Sequence, residues 1–130
     1  VRGVRIGLGS PSVLDAGSWA AITAGAGAGE GHLEWPIIKD VTNDIGYGEE
    51  DFPVNLPVGT EVRAQLYGVN DGNALLAMTL TVWLEDPDGV SRGLTTNTRD
   101  VYPGDQINGI GDNVTLDKTG DWIFHAKLEG

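Results

Sequence analysis

The sequence contains no cysteine and a single methionine, and its aromatic residues are limited to four Trp, three Tyr and two Phe in 130 positions. The missing thiols exclude disulfides, thiolate zinc sites, iron–sulfur clusters and cysteine nucleophiles. Basic residues are scarce as well. Eight Lys and Arg stand against 19 Asp and Glu, a formal charge of −11, which speaks against direct nucleic-acid binding or attraction to an anionic membrane through charge. No run approaches the ~18 apolar residues of a membrane-spanning helix, and the start lacks the charged-then-apolar order of a secretory signal. A chain of this length supports one domain core, with room for an arm.

What is abundant is glycine, 20 residues, about twice the usual share. Residues 24–31 read AGAGAGEG, with no side chain able to build a core. This stretch divides the chain into an N-terminal arm or extension, 1–31, and a body, 32–130. In the arm, Val4, Ile6 and Leu8 alternate as in a short strand, and residues 12–23 carry at most one or two helical turns. In the body, Met78, Leu80, Val82 and Leu84 alternate with Thr79, Thr81 and Trp83, ending at Glu85-Asp86-Pro87-Asp88-Gly89. Val62, Ala64 and Leu66 alternate with Arg63, Gln65 and Tyr67, followed by the turn Asn70-Asp71-Gly72-Asn73. Trp122, Phe124, Ala126 and Leu128 alternate with Ile123, His125 and Lys127. Phe52, Val54 and Leu56 face opposite Pro53, Asn55 and Pro57, and two prolines confine that segment to a sheet edge or entrance. Shorter strands are expected at 33–39, 94–99 and 114–116.

Short alternating strands, frequent turns and no amphipathic helix define an all-β chain, an antiparallel β-sandwich carrying a Gly/Ala-rich N-terminal arm. An open barrel is the alternative. The punctuation from Leu56-Pro57-Val58-Gly59 through Val69-Asn70-Asp71-Gly72-Asn73, Asp86-Pro87-Asp88-Gly89, Tyr102-Pro103-Gly104-Asp105 and Lys118-Thr119-Gly120-Asp121-Trp122 resembles the bacterial immunoglobulin-like modules of the CARDB type. The likeness covers residues 56–129 and rests on turn chemistry and alternation. It implies an immunoglobulin-like sandwich acting as a surface or adhesive building block without catalysis; the first 31 residues depart from the pattern.

Catalytic and metal constellations are missing from the sequence pattern. No Lys-Ser/Thr follows the Gly-rich stretches, and His32 and His125 lack the close spacing of a zinc pair. The reading is therefore non-enzymatic, without a cofactor. Acidic residues crowd 40–51 and the 86–88 turn. Asp86, Asp88, Glu49 and Asp51 are the calcium candidates, yet no EF-hand register joins them, and turn chemistry or a solvated face accounts for the same residues. Asn113-Val114-Thr115 matches a glycosylation sequon, relevant only in a eukaryotic secretory route. Trp83 falls opposite the apolar row of its strand and should point outward, as should Ile123. With Trp35, Tyr102 and Trp19 these are the candidate contact residues.

Two functions follow from different classes. The first is a structural assembly protein, a sandwich subunit or decoration of a virion or cell-surface layer. It would contact copies of itself and another shell or surface protein through the arm and the outward aromatics. The chain reads as a small unit without an export signal, which favours the virion. The second is a carbohydrate-binding adhesion module using Trp83, Trp35 or Tyr102 as a ring platform.

Overall fold

A computed structural model describes residues 3–8, 22–23 and 31–130. The expected arm strand is present as β1 (Gly3–Leu8), and β2 is Ile22–Thr23. The last two residues of the 12–23 stretch are thus extended; the rest of that stretch lies outside the described residues, as does Trp19. The body continues with β3 (Gly31–Asp40), β4 (Ile45–Tyr47), a 3-10 turn (Glu49–Asp51) and β5 (Asn55–Leu56). Then come β6 (Glu61–Asn70), β7 (Leu76–Glu85), β8 (Ser91–Val101), β9 (Gln106–Ile110), β10 (Val114–Thr115) and β11 (Gly120–Glu129).

These strands form two sheets with mainly antiparallel pairing. Sheet A runs β5-β1-β11-β7-β8 with β2 beside β11, and sheet B runs β10-β6-β3-β4 with β9 also on β6. The exceptions are the two-residue parallel pairings of β1 with β5 and of β11 with β2. One hydrophobic core joins the inner faces of the two sheets. Met78, Leu80 and Val82 of β7 and Trp122, Phe124, Ala126 and Leu128 of β11 are fully buried in it, opposite Val62, Ala64 and Leu66 of β6. The period-two rows therefore face as the alternation requires. Phe52, Val54 and Leu56 are buried while Pro53, Asn55 and Pro57 are exposed, and β5 is indeed the edge of sheet A.

Three departures from the sequence pattern have physical causes. β8 spans eleven residues, against the expected six, although most of it is exposed. Its pairing with β7 is reinforced by cross-strand hydroxyls, Thr79 with Thr98 at 3.0 Å and Thr81 with Thr96 at 3.3 Å, contacts that apolar alternation does not reveal. β9 escapes the same reading because its second inward position is Gly109, where sheet A comes so close that a Cβ would lie 2.8 Å from Leu80 Cδ2. The pairing of β3 with β6 slips between Glu34 and Ile37. Leu33 and Pro36 are both buried, Trp35 between them is exposed, and Ile38 and Asp40 resume the inner row. This is the signature of one extra residue in a strand.

The turn at 70–73 holds the two sheets together as well as reversing the chain. Asn70 is buried; its amide donates to the Ala74 carbonyl at 2.9 Å and the Val101 carbonyl at 2.8 Å, and its oxygen accepts from the Gly72 N–H at 2.9 Å. An apolar residue there would leave these backbone groups without partners inside the protein.

Candidate functional site

The irregularity in β3 decides which aromatic side chain reaches solvent. Trp35 has φ +57°, a left-handed conformation that a bulky side chain rarely adopts and that ordinary strand pairing does not need. The outcome is an indole 69% exposed on the outer face of sheet B. Its ring meets Tyr67 edge to face, with centroids 6.3 Å apart and planes at 84°, the arrangement that the ring quadrupoles favour. Pairing of β6 with β9 sets Asn108 opposite Tyr67 and Ile110 opposite Gln65. Trp35, Gln65, Tyr67, Asn108 and Ile110 thus surround one hollow. On the other flank of the indole a hollow of about 320 Å³ is bordered by Pro36, Ile37, Gly48, Glu49 and Glu50.

Trp83 behaves differently. It leaves the inner row as expected but is only half-buried, and its indole lies against His125 on the adjacent strand, centroids 5.1 Å apart and planes 14° from parallel. His125 Nε2 lies 2.9 Å from Glu85 Oε1. Both rings therefore have partners within sheet A. Ile123 is half-buried and faces outward on β11, opposite Arg5 of β1. Tyr102 is 64% exposed in the turn from β8 to β9, and no ring contact joins it to Trp35. Of the aromatic candidates, the structure places Trp35 beside Tyr67, a residue that only its outward position in the alternating row 62–67 could have signalled.

The calcium candidates do not converge. Among the described residues no three His, Asp or Glu side chains form a cluster able to hold a metal. Glu49 and Asp51 belong to the 3-10 turn, where Asp51 accepts the Gly48 N–H at 3.0 Å. Asp86 is 2% exposed and its Oδ1 accepts the N–H groups of Asp88 at 2.9 Å and Val90 at 3.0 Å. Its Oδ2 takes Lys118 Nζ at 3.1 Å, and the same ammonium reaches Asp88 at 2.6 Å. Arg92 holds Asp117 through two bonds of 3.1 and 3.0 Å and lies over the Trp122 ring, 5.3 Å from its centroid. The chain's own cations thus engage Asp86, Asp88 and Asp117. The two histidines sit on different sheets: His32 of β3 lies between Asp71, 2.6 Å from Nδ1, and Glu34, 3.1 Å from Nε2. The Asp71 bond pulls the imidazole pKa up against partial burial, with Glu34 adding to the rise.

Burial alone would raise the Asp86 carboxyl. The Val90 N–H, the Lys118 ammonium and the Asp88 N–H outweigh it and bring the pKa down to about 2. A depressed folded pKa contributes stability above the unfolded value of about 3.9, lost as pH falls through the folded one. Urea unfolding at pH 7 and at pH 2–3 checks this. The parent protein should lose stability over that interval, and Asp86→Asn should be less stable at pH 7 with a smaller loss on acidification. An unchanged acid loss in the variant would remove Asp86 as its source.

No family model, curated protein or solved structure matches this chain.

Proposed function

We propose that this chain is a non-enzymatic assembly subunit of a virion or cell-surface layer, an immunoglobulin-like sandwich that joins its neighbours by exchanging its N-terminal strand, β1. The order β8-β7-β11-β1 in one sheet and β3-β6 with β9 and β10 in the other supports this reading, because it is similar to the C′CFG and ABE order of immunoglobulin-like domains. The strand in the final, G position comes from the N-terminal segment, and the short strands β2, β4 and β5 are additions to that order. This likeness also supports the CARDB-type reading, with its surface-building role.

The observation that carries the proposal is the edge of β11. The strand is ten residues long and contributes four fully buried side chains. One side pairs with β7; the other is taken by β1 over six residues and by β2 over two. An uncovered edge of that length invites pairing with another chain. The covering strand is joined to the body through AGAGAGE at 24–30, so the same six-residue register suits a second copy's β1, as in domain swapping. Half-buried Ile123, opposite Arg5, belongs to that seam, and the outer face around Trp83 would lie beside a neighbour. The partners are copies of this chain and another protein of the layer.

The absence of native cysteine allows a direct test. Directly opposed residues in an antiparallel pair lie about 4.5–5.5 Å apart between Cα atoms, within disulfide reach. Arg5→Cys and Ile123→Cys variants are made separately, mixed and oxidised. Strand sharing predicts a cross-linked species found only in the mixture, and light scattering on the parent should give masses that are multiples of 13.7 kDa. If the double variant closes its bond only within one chain and the mixture stays uncross-linked, strand sharing is wrong.

A further inference from the structure

We propose that the outer face of sheet B binds the pyranose ring of a neutral oligosaccharide, with Trp35 as the stacking surface and Gln65 and Asn108 as hydroxyl partners. This site is independent of the β11 seam, on the opposite sheet, so either reading can fail without the other.

Four observations converge on it. The first is the conformation of Trp35: the extra residue in β3 and φ +57° turn a large apolar ring away from the core, and Tyr67 buttresses it edge-on. A flat, electron-rich indole face suits the axial C–H groups of a sugar ring, which carry partial positive charge. The second is polar: the side-chain amides of Gln65 and Asn108 border the same hollow and have no hydrogen-bond partner among the described residues. Each amide offers donors and an acceptor together, which is what a hydroxyl group pairs with.

Charge is the third. A chain of −11 with Glu34 and Glu50 near the indole repels uronic, sialylated or sulfated sugars, and so selects neutral ones. Space is the fourth. The hollow of about 320 Å³ beside Trp35 lies at the lower end of the ~300–1,000 Å³ usual for small-molecule sites, and with the second hollow it lets a chain of sugars run across the indole.

A protein partner fits less well. Around the indole the apolar groups Ile37, Tyr67 and Ile110 are interrupted by the two amides, whereas a stable protein contact covers about 800 Å² on each partner.

The experiment follows the indole N–H signals of the full chain's four tryptophans by NMR. The probes are maltohexaose, cellohexaose, xylohexaose and the fully N-acetylated chitohexaose, each to about 10 mM, enough to saturate a site with Kd of about 1 mM. Trp35→Gly suits as the key variant because glycine accepts φ +57°, and the signal it removes assigns Trp35. At least one probe should shift that signal; affinity, measured by calorimetry in all four proteins, should fall at least about tenfold in Trp35→Gly and more modestly in Gln65→Ala and Asn108→Ala. The alanine variants change exposed or half-buried polar groups, so they keep the test decisive if Trp35→Gly fails to fold. No shift with any probe, or unchanged affinity in all three variants, overturns the proposal. A change in molar mass in Trp35→Gly without sugar binding in the parent also overturns it and assigns the face to a protein.

Discussion

Trp122→Ala is expected to cost about 3–5 kcal/mol, the range for truncating a fully buried aromatic residue. The measurement is urea unfolding at neutral pH, compared with Trp122→Phe. Three losses coincide at this position. The indole is fully buried in β11, and its removal leaves a void against the rest of the core. Its Nε1 donates to the Lys118 carbonyl at 3.1 Å. Its ring also forms the floor beneath Arg92, whose guanidinium reaches Asp117 and Asp86. Phenylalanine restores most of the volume and a ring face but no donor. It should therefore recover most of the loss, leaving roughly the 0.5–1.5 kcal/mol of a hydrogen bond plus a packing remainder. Equal losses in both variants would mean that the polar contacts, and not the ring, hold this corner. Against a total stability of about 5–15 kcal/mol for a domain, the alanine variant should be partly unfolded at elevated temperature.

The main rows of this sandwich were readable because apolar alternation is a direct consequence of a sheet with one wet face. Residues 62–66, 78–84 and 122–128 show it without interruption, and their burial follows it residue by residue. Where the constraint was of another kind, the pattern was silent. β8 is held by threonine pairs along an edge, and β9 uses a glycine where an apolar side chain would fit the pattern. The candidate site was less legible still. Trp83 and Trp35 are both aromatic residues at strand positions, and what separates them is tertiary. His125 reaches Trp83 only because β11 pairs with β7 at His125↔Trp83. Trp35 is thrown outward by a one-residue slip relative to β6, and no period-two count contains that slip. Gln65 and Asn108 become neighbours of the indole only through the pairing of β6 with β3 on one side and with β9 on the other, strands distant from it in sequence. The acidic turn reads as turn chemistry in the sequence, but the cation that meets its two carboxylates, Lys118, stands 30 residues beyond Asp88 and no local spacing contains it.

The glycine in β9 leads to the second large effect, which is best measured as a double-mutant cycle between the sheets. Leu80 is fully buried, and its Cγ and Cδ2 would lie 2.9 and 2.8 Å from a Cβ at Gly109. Leu128 has the same relation to Gly68 on β6, with Cδ1 2.8 Å from the added Cβ. Each leucine of sheet A fits against a backbone position of sheet B where no side chain stands, which brings the layers together and fills the space without aromatic bulk. Gly109→Ala should therefore overpack the contact and cost about 1–3 kcal/mol, while Leu80→Ala should leave a cavity and cost about 2–5 kcal/mol. In the double variant the new methyl group enters space that the leucine has vacated. Its cost should fall short of the sum of the single costs by about 0.5–3 kcal/mol, the range of coupling for residues in contact. The readout is the unfolding free energy of the four proteins under one condition. Additivity within about 0.5 kcal/mol would mean that Gly109 is there for the strand's backbone and not for Leu80. A coupling of the expected size would make the glycine a packing residue, chosen because any larger side chain would push the two sheets apart.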